Sequence, residues 1–127
     1  MQRVLAIDDQ SSVRVALRLS LEYLGLSVEE AENGEQGLRK ARENVPDLIL
    51  CDFDMPVMDG LETVVQLGKD PVLGRVPLII ISGMMTQESE RRLMSAGANA
   101  VLPKPFSLAD LSSLVRRYLN TGEAGQV

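Results

Sequence analysis

The sequence predicts a single α/β domain: five strands in a doubly wound parallel sheet, alternating with five helices that cover both faces. Three observations carry that prediction. Wholly apolar runs of strand length recur at residues 4–7, 48–51 and 78–81. Longer stretches with apolar residues at helical spacing separate them. Glycines and prolines punctuate the joins. Apolar strands that alternate with helices are buried on both sides, which is the pattern of parallel pairing.

The elements follow in chain order. After the first apolar run, Val13, Ala16, Leu17, Leu21 and Leu24 repeat on one helical face, and Gly25 stops the helix. Residues 27–32 mix polar and apolar side chains, as an edge strand does. Asn33 caps a second helix, with Gln36 three residues on as in a capping box. Leu38 and Ala41 face its core side, and it ends before Pro46. A third helix starts near Gly60 with Leu61, Val64 and Val65 inward, and Pro71, Gly74 and Pro77 mark the next connection. Thr86 caps a fourth helix bearing Leu93 and Met94, which Gly97 ends. Residues 99–102 form the last strand. Ser107 caps a fifth helix with Leu111, Leu114, Val115 and Tyr118 on one face. The domain is expected to span 1–120, with 121–127 a flexible tail or the start of a linker.

Composition narrows the function. The 127 residues suit one domain, and a chain of this size buries roughly two-thirds of its unfolded surface. A net charge of −5 with no basic run argues against nucleic-acid binding, which needs clustered Lys and Arg. The single cysteine, Cys51, excludes an internal disulfide and a Cys-based zinc site. The chain has no histidine, which excludes Ser-His and Cys-His catalysis and a His-ligated metal within it. No signal peptide and no bilayer-length apolar stretch is visible, so a cytoplasmic protein with no membrane contact is expected.

In open parallel α/β sheets, sites form beyond the carboxyl ends of the strands. The first apolar run ends in Asp8-Asp9 and the third in Asp52-Phe53-Asp54. Ser82-Gly83 follows the run at 78–81, and Pro103-Lys104-Pro105 follows the last strand. If the first and third strands are neighbours, Asp8, Asp9 and Asp52 converge. Close carboxylates repel one another unless a cation lies between them. Oxygen ligands without His or Cys select a hard ion such as Mg2+ or Mn2+. Lys104 adds a fixed positive charge and Ser82 a hydroxyl donor, both suited to phosphoryl oxygens. A carboxylate can itself be the nucleophile in phosphoryl transfer, and Asp52, ending a central strand, is the natural acceptor. Taken singly, each feature has a plainer reading: a cap, a turn, a loop lysine. Their coincidence at four strand ends is what argues for a site.

These motifs resemble the receiver domain of two-component response regulators, of the chemotaxis-response-regulator kind. The resemblance covers about residues 3–119. It is carried by Asp8-Asp9, by Asp52-Phe53-Asp54-Met55-Pro56-Val57-Met58-Asp59-Gly60, by Ser82-Gly83 and by Lys104-Pro105-Phe106. It implies a flavodoxin-like fold with strand order 2-1-3-4-5. It implies Asp52 as phosphoacceptor, and Mg2+ held by Asp9, Asp52 and the backbone carbonyl of Asp54, with Asp8 acting nearby through water. It implies Ser82 as the switch hydroxyl, Lys104 as the phosphoryl contact and a cis Lys104-Pro105 bond. The implied donor is a phosphohistidine on a histidine kinase or phosphotransfer protein. The implied output is a protein effector met by the fourth helix, fifth strand and fifth helix, or a fused output domain.

Two departures from the family pattern stand out. Val101 occupies the place, three residues before the lysine, where an aromatic switch is common. Asp54, with Met84 two residues after Ser82, is expected to set how fast water reaches the phosphoryl group. Three rivals remain at this stage. A haloacid-dehalogenase-type phosphatase would use the paired Asp52 and Asp54, but Pro56 stands where that motif wants Thr. A flavin-binding protein of the same fold needs a phosphate cradle, which Asp8-Asp9-Gln10 would repel. A receiver-like interaction module that is never phosphorylated has Val101 as its only encouragement.

Overall fold

The computed structural model describes residues 2–55 and 58–119. The expected tail at 121–127, the domain limit at 120 and the Pro56 comparison lie outside the described residues. Among the described residues, five strands and five α-helices alternate: β1 (Arg3–Ile7), α1 (Ser11–Tyr23), β2 (Ser27–Ala31), α2 (Gly34–Glu43), β3 (Leu48–Asp52), α3 (Gly60–Lys69), β4 (Leu78–Ser82), α4 (Gln87–Ala96), β5 (Ala100–Pro103) and α5 (Leu108–Leu119). A 3-10 turn, Leu73–Arg75, leads into β4. All neighbouring strands are parallel, in the order β2-β1-β3-β4-β5. This is the doubly wound, flavodoxin-like arrangement that the motifs imply.

Strand alternation sorts the core into two halves. Leu5, Ile7, Ile49, Cys51 and Ile80 pack with Leu38, Ala41, Val64, Leu67 and Leu93 of α2, α3 and α4. Val4, Ala6, Leu50, Ile79 and Ile81 pack with Leu17, Leu21, Leu111 and Val115 of α1 and α5. Each fully buried Leu or Ile contributes about 1.5–3 kcal/mol. The three central strands are therefore held from both sides, and their ends are fixed in height relative to one another.

The expected caps form. Asn33 accepts a hydrogen bond from the Gln36 amide at 2.8 Å, although the Gln36 side chain reaches Glu32 N rather than the Asn33 amide. Thr86 accepts from Ser89 N, and Ser107 and Asp110 cap each other reciprocally. Asp59 caps α3 by accepting from Glu62 N at 2.9 Å. Gly25 and Gly97 both have positive φ, at 88° and 124°, where their helices end. Three expectations are corrected. Ala16, expected on the core face of the first helix, is exposed, and Leu17 and Leu21 are the residues α1 buries. Val65 is only half-buried, and Thr63 takes the inward place in α3. Strand β5 starts at Ala100, because Asn99 instead clamps Leu78, its side chain accepting from Leu78 N and its amide donating to Leu78 O. Among the described residues, no helix is long and apolar enough to cross a membrane.

Candidate functional site

Register brings the acidic residues together. Ile7 pairs with Cys51, so Asp8 leaves β1 beside Asp52 at the end of β3. Carboxylate oxygens of Asp8, Asp9 and Asp52 lie within 4.8 Å of one another. Asp8 and Asp52 are buried and Asp9 is exposed, so the cluster has a dry floor and an open mouth. Asp8 is held on three sides: its amide donates to Ala31 O at 3.1 Å, its Oδ1 accepts from Gln10 N at 2.9 Å, and its carbonyl accepts from Arg14 at 2.7 Å. Its Oδ2 is buried with no hydrogen-bond partner among the described residues. The acidic pair is not a helix cap: Gln10 holds the N-cap position of α1 and makes no side-chain cap bond.

Burial raises the Asp8 carboxyl above its ordinary value, and the Gln10 amide only partly opposes this. Burial also raises Asp52, against the Lys104 hydrogen bond, with the charge of Asp8 adding to the rise. Lys104 closes the site from β5. Its Nζ lies 3.0 Å from Asp52 Oδ1, and its amide donates to Ser82 O at 2.8 Å. Burial works against its charge, but the Asp52 hydrogen bond and the nearby carboxylates of Asp52 and Asp8 hold its pKa above the usual lysine value. The Lys104-Pro105 bond is cis, as the motif implies.

Ser82 is buried at the end of β4, one residue beyond the partner of Asp52 in the sheet register. Its hydroxyl engages its own loop: Oγ donates to Met84 O at 3.1 Å and accepts from Met84 N at 3.2 Å. Asp54 lies exposed at the mouth, and its charge is felt at Lys104. Val101 is half-buried, and both it and Met85 of the β4–α4 loop pack against the α2–α4 half of the core. Phe53 and Gly60 are held close: Gly60 N donates to Phe53 O at 2.8 Å, and a Cβ on Gly60 would sit 2.7 Å from Phe53 Cα. Only glycine fits that approach.

The donor set suits a hard divalent ion. Its side-chain donors are all carboxylates, one buried oxygen has no partner among the described residues, and the open side leaves room for further oxygens. The fold brings the sequence-predicted Asp8, Asp9, Asp52, Asp54, Ser82 and Lys104 to one end of the sheet. Sequence reasoning did not single out Arg14 of α1 or the amide of its N-cap residue Gln10, which fix Asp8.

The sequence model of one protein family, described as the response regulator receiver domain, matches residues 4–116. The chain is 37% identical over 120 residues to the response regulator MprA of Mycobacterium leprae, covering 92% of this chain and 50% of that protein. It spans about half or less of the length of the first curated relatives it matches. Among solved structures, it resembles the chemotaxis protein CheY4 of Vibrio cholerae, with a TM-score of 0.90 and 32% identity over 94% of this chain and 99% of that one. It also resembles the receiver domain of a sensor histidine kinase from Pseudomonas aeruginosa, described with a magnesium ion coordinated in the active-site cleft. That match has a TM-score of 0.87 and 28% identity, and covers 94% of this chain and 98% of that one.

Proposed function

Because this chain belongs to the response regulator receiver family of two-component systems, in which phosphorylation on an aspartate is typical, we propose that Asp52 is its phosphoacceptor. In this reading Asp9, Asp52 and the Asp54 backbone carbonyl hold Mg2+, with Asp8 nearby through water and Mn2+ able to substitute. The observation that carries it is the convergence of three carboxylates beside a lysine only 3.0 Å from Asp52.

The phosphoryl donor is a phosphohistidine on a histidine kinase or phosphotransfer protein, supplying the histidine this chain lacks. An Asp52 oxygen attacks phosphorus, an O–P bond forms as the P–N bond breaks, and the released imidazole takes up a proton. A bound divalent ion supplies neutralisation of the negative oxygens at the reacting centre. Lys104 transfers its ammonium from Asp52 Oδ1 to a phosphoryl oxygen. Ser82 exchanges Met84 O for another. A donor protein has somewhere to sit. An apolar groove of about 580 Å³, lined by Val13, Ala16 and Leu17 of α1 and by Pro105 and Phe106, opens beside Lys104.

Phosphorylation adds about 1.5–2 negative charges. The contacts Lys104 and Ser82 make with that charge bias a two-state equilibrium, and a near-complete swing requires about 5 kcal/mol. The α4–β5–α5 face then meets a protein effector or a fused output domain. The domain acts as a switch in the cytoplasm rather than as a turnover enzyme, touches no nucleic acid itself and makes no membrane contact. Intact-mass measurement with Mg2+ and a small phosphodonor tests the reading. Wild type gains one phosphoryl group and Asp52→Asn gains none; equal gain in both would refute it.

A further inference from the structure

We propose that Arg14 is a positioning residue for the metal site, acting through the Asp8–Asp9 peptide and braced from β2 by Glu30. This rests on the metal reading given above. Arg14 stands one turn into α1, yet its side chain is only 12% exposed. Its Nη1 donates to the Asp8 carbonyl at 2.7 Å, and its Nε donates to Glu30 Oε1 at 3.2 Å. Glu30 is itself tied down, because its other oxygen accepts from Arg18 Nε at 2.8 Å and its carbonyl accepts from Lys40 at 2.6 Å. The guanidinium therefore links two strand ends and one helix through a fixed fork of donors.

The Asp8 carbonyl belongs to the peptide that carries Asp9. The Asp8 side chain has its own anchor on Gln10 N, and the Asp8 amide has one on Ala31 O. The Arg14 bond fixes the remaining freedom, the plane of the Asp8–Asp9 peptide. Asp9 is exposed, so the direction of its carboxylate depends on that plane. Residues that orient metal ligands from behind commonly matter 10–100-fold for affinity.

Charge and positioning predict opposite outcomes, which makes the inference testable. Removing a cation beside Asp8 strengthens the attraction of the acidic cluster for a dication. Removing the peptide anchor weakens it. The test is Mg2+ titration of the full chain by calorimetry for wild type, Arg14→Met, Arg14→Lys and Glu30→Gln, with thermal unfolding in EDTA as a check on folding. Hydrogen–deuterium exchange of metal-free protein across residues 8–12 is read in parallel.

The expected result is Mg2+ affinity about ten-fold weaker in Arg14→Met. Arg14→Lys falls between, because it keeps the charge but lacks the fork, and Glu30→Gln is weakened in the same direction. Amide exchange at 8–12 quickens in all three. Folded Arg14→Met that binds Mg2+ as tightly as wild type, or more tightly, overturns the inference and leaves the metal reading intact. Wild type that binds no Mg2+ overturns the metal reading itself. In that event, unchanged exchange at 8–12 in Arg14→Met also removes the positioning role. If Arg14→Met does not fold, Glu30→Gln decides by the same measurements.

Discussion

Lys104 Nζ lies 3.0 Å from Asp52 Oδ1, joining positions 52 residues apart in the chain. The carboxylate is buried and the ammonium is partly exposed. Truncating one partner of such a pair leaves the other charge without compensation. Lys104→Met is therefore expected to lower stability by about 1–2 kcal/mol near neutral pH, less than for a wholly buried pair because solvent reaches the lysine. Without Lys104 the folded pKa of Asp52 rises further, so the deficit vanishes in acid, where Asp52 is neutral, and grows as pH rises. Urea unfolding at acid and neutral pH measures this. A deficit independent of pH would show that packing of the lysine stem, not its charge, was lost.

Asp8 carries the opposite lesson. Burial raises its pKa above the ordinary 3.8, so the folded state binds this proton more tightly than the unfolded chain. Stability in EDTA is fullest below the unfolded value and falls as pH rises through the folded one. Asp8→Asn removes a buried charge whose Oδ2 has no partner among the described residues. It is expected to raise metal-free stability by about 1–3 kcal/mol near neutral pH and to flatten the pH dependence. The same variant should gain less from added Mg2+, since ligand stabilisation follows affinity. Asp8→Asn that is less stable than wild type in EDTA would contradict the account.

Asp54 stands exposed beside the site with its charge felt at Lys104. A carboxylate there can accept a hydrogen bond from an incoming water and orient it toward phosphorus. Asp54→Asn is expected to lengthen the lifetime of the Asp52 acyl phosphate several-fold, read as decay of the phosphorylated mass. Unchanged decay refutes the role.

The central site was legible because of how parallel strands are buried. β3 and β4 are covered on both faces, so they read as unbroken apolar runs, and Asp52 and Ser82 stand out at their ends. Ala16 was misplaced because a small apolar residue fits either the core or the wall of a groove, and only the packing of α1 decides. Arg14 was not legible at all. Its partners, Asp8 and Glu30, lie 6 and 16 residues away, and the contact exists only once β2 has paired beside β1. The rotamer of Ser82, turned onto Met84, likewise leaves no trace in the residue type.

A crystal structure with Mg2+ and beryllofluoride, a mimic of the phosphoryl group, tests the proposed site most directly. The expected density has beryllium bonded to an Asp52 oxygen and the ion touching Asp9, Asp52 and the Asp54 carbonyl. Lys104 and Ser82 should have left their present partners for fluorine. Density that leaves the cleft empty, with Lys104 still on Asp52 or pointing away, would contradict the account.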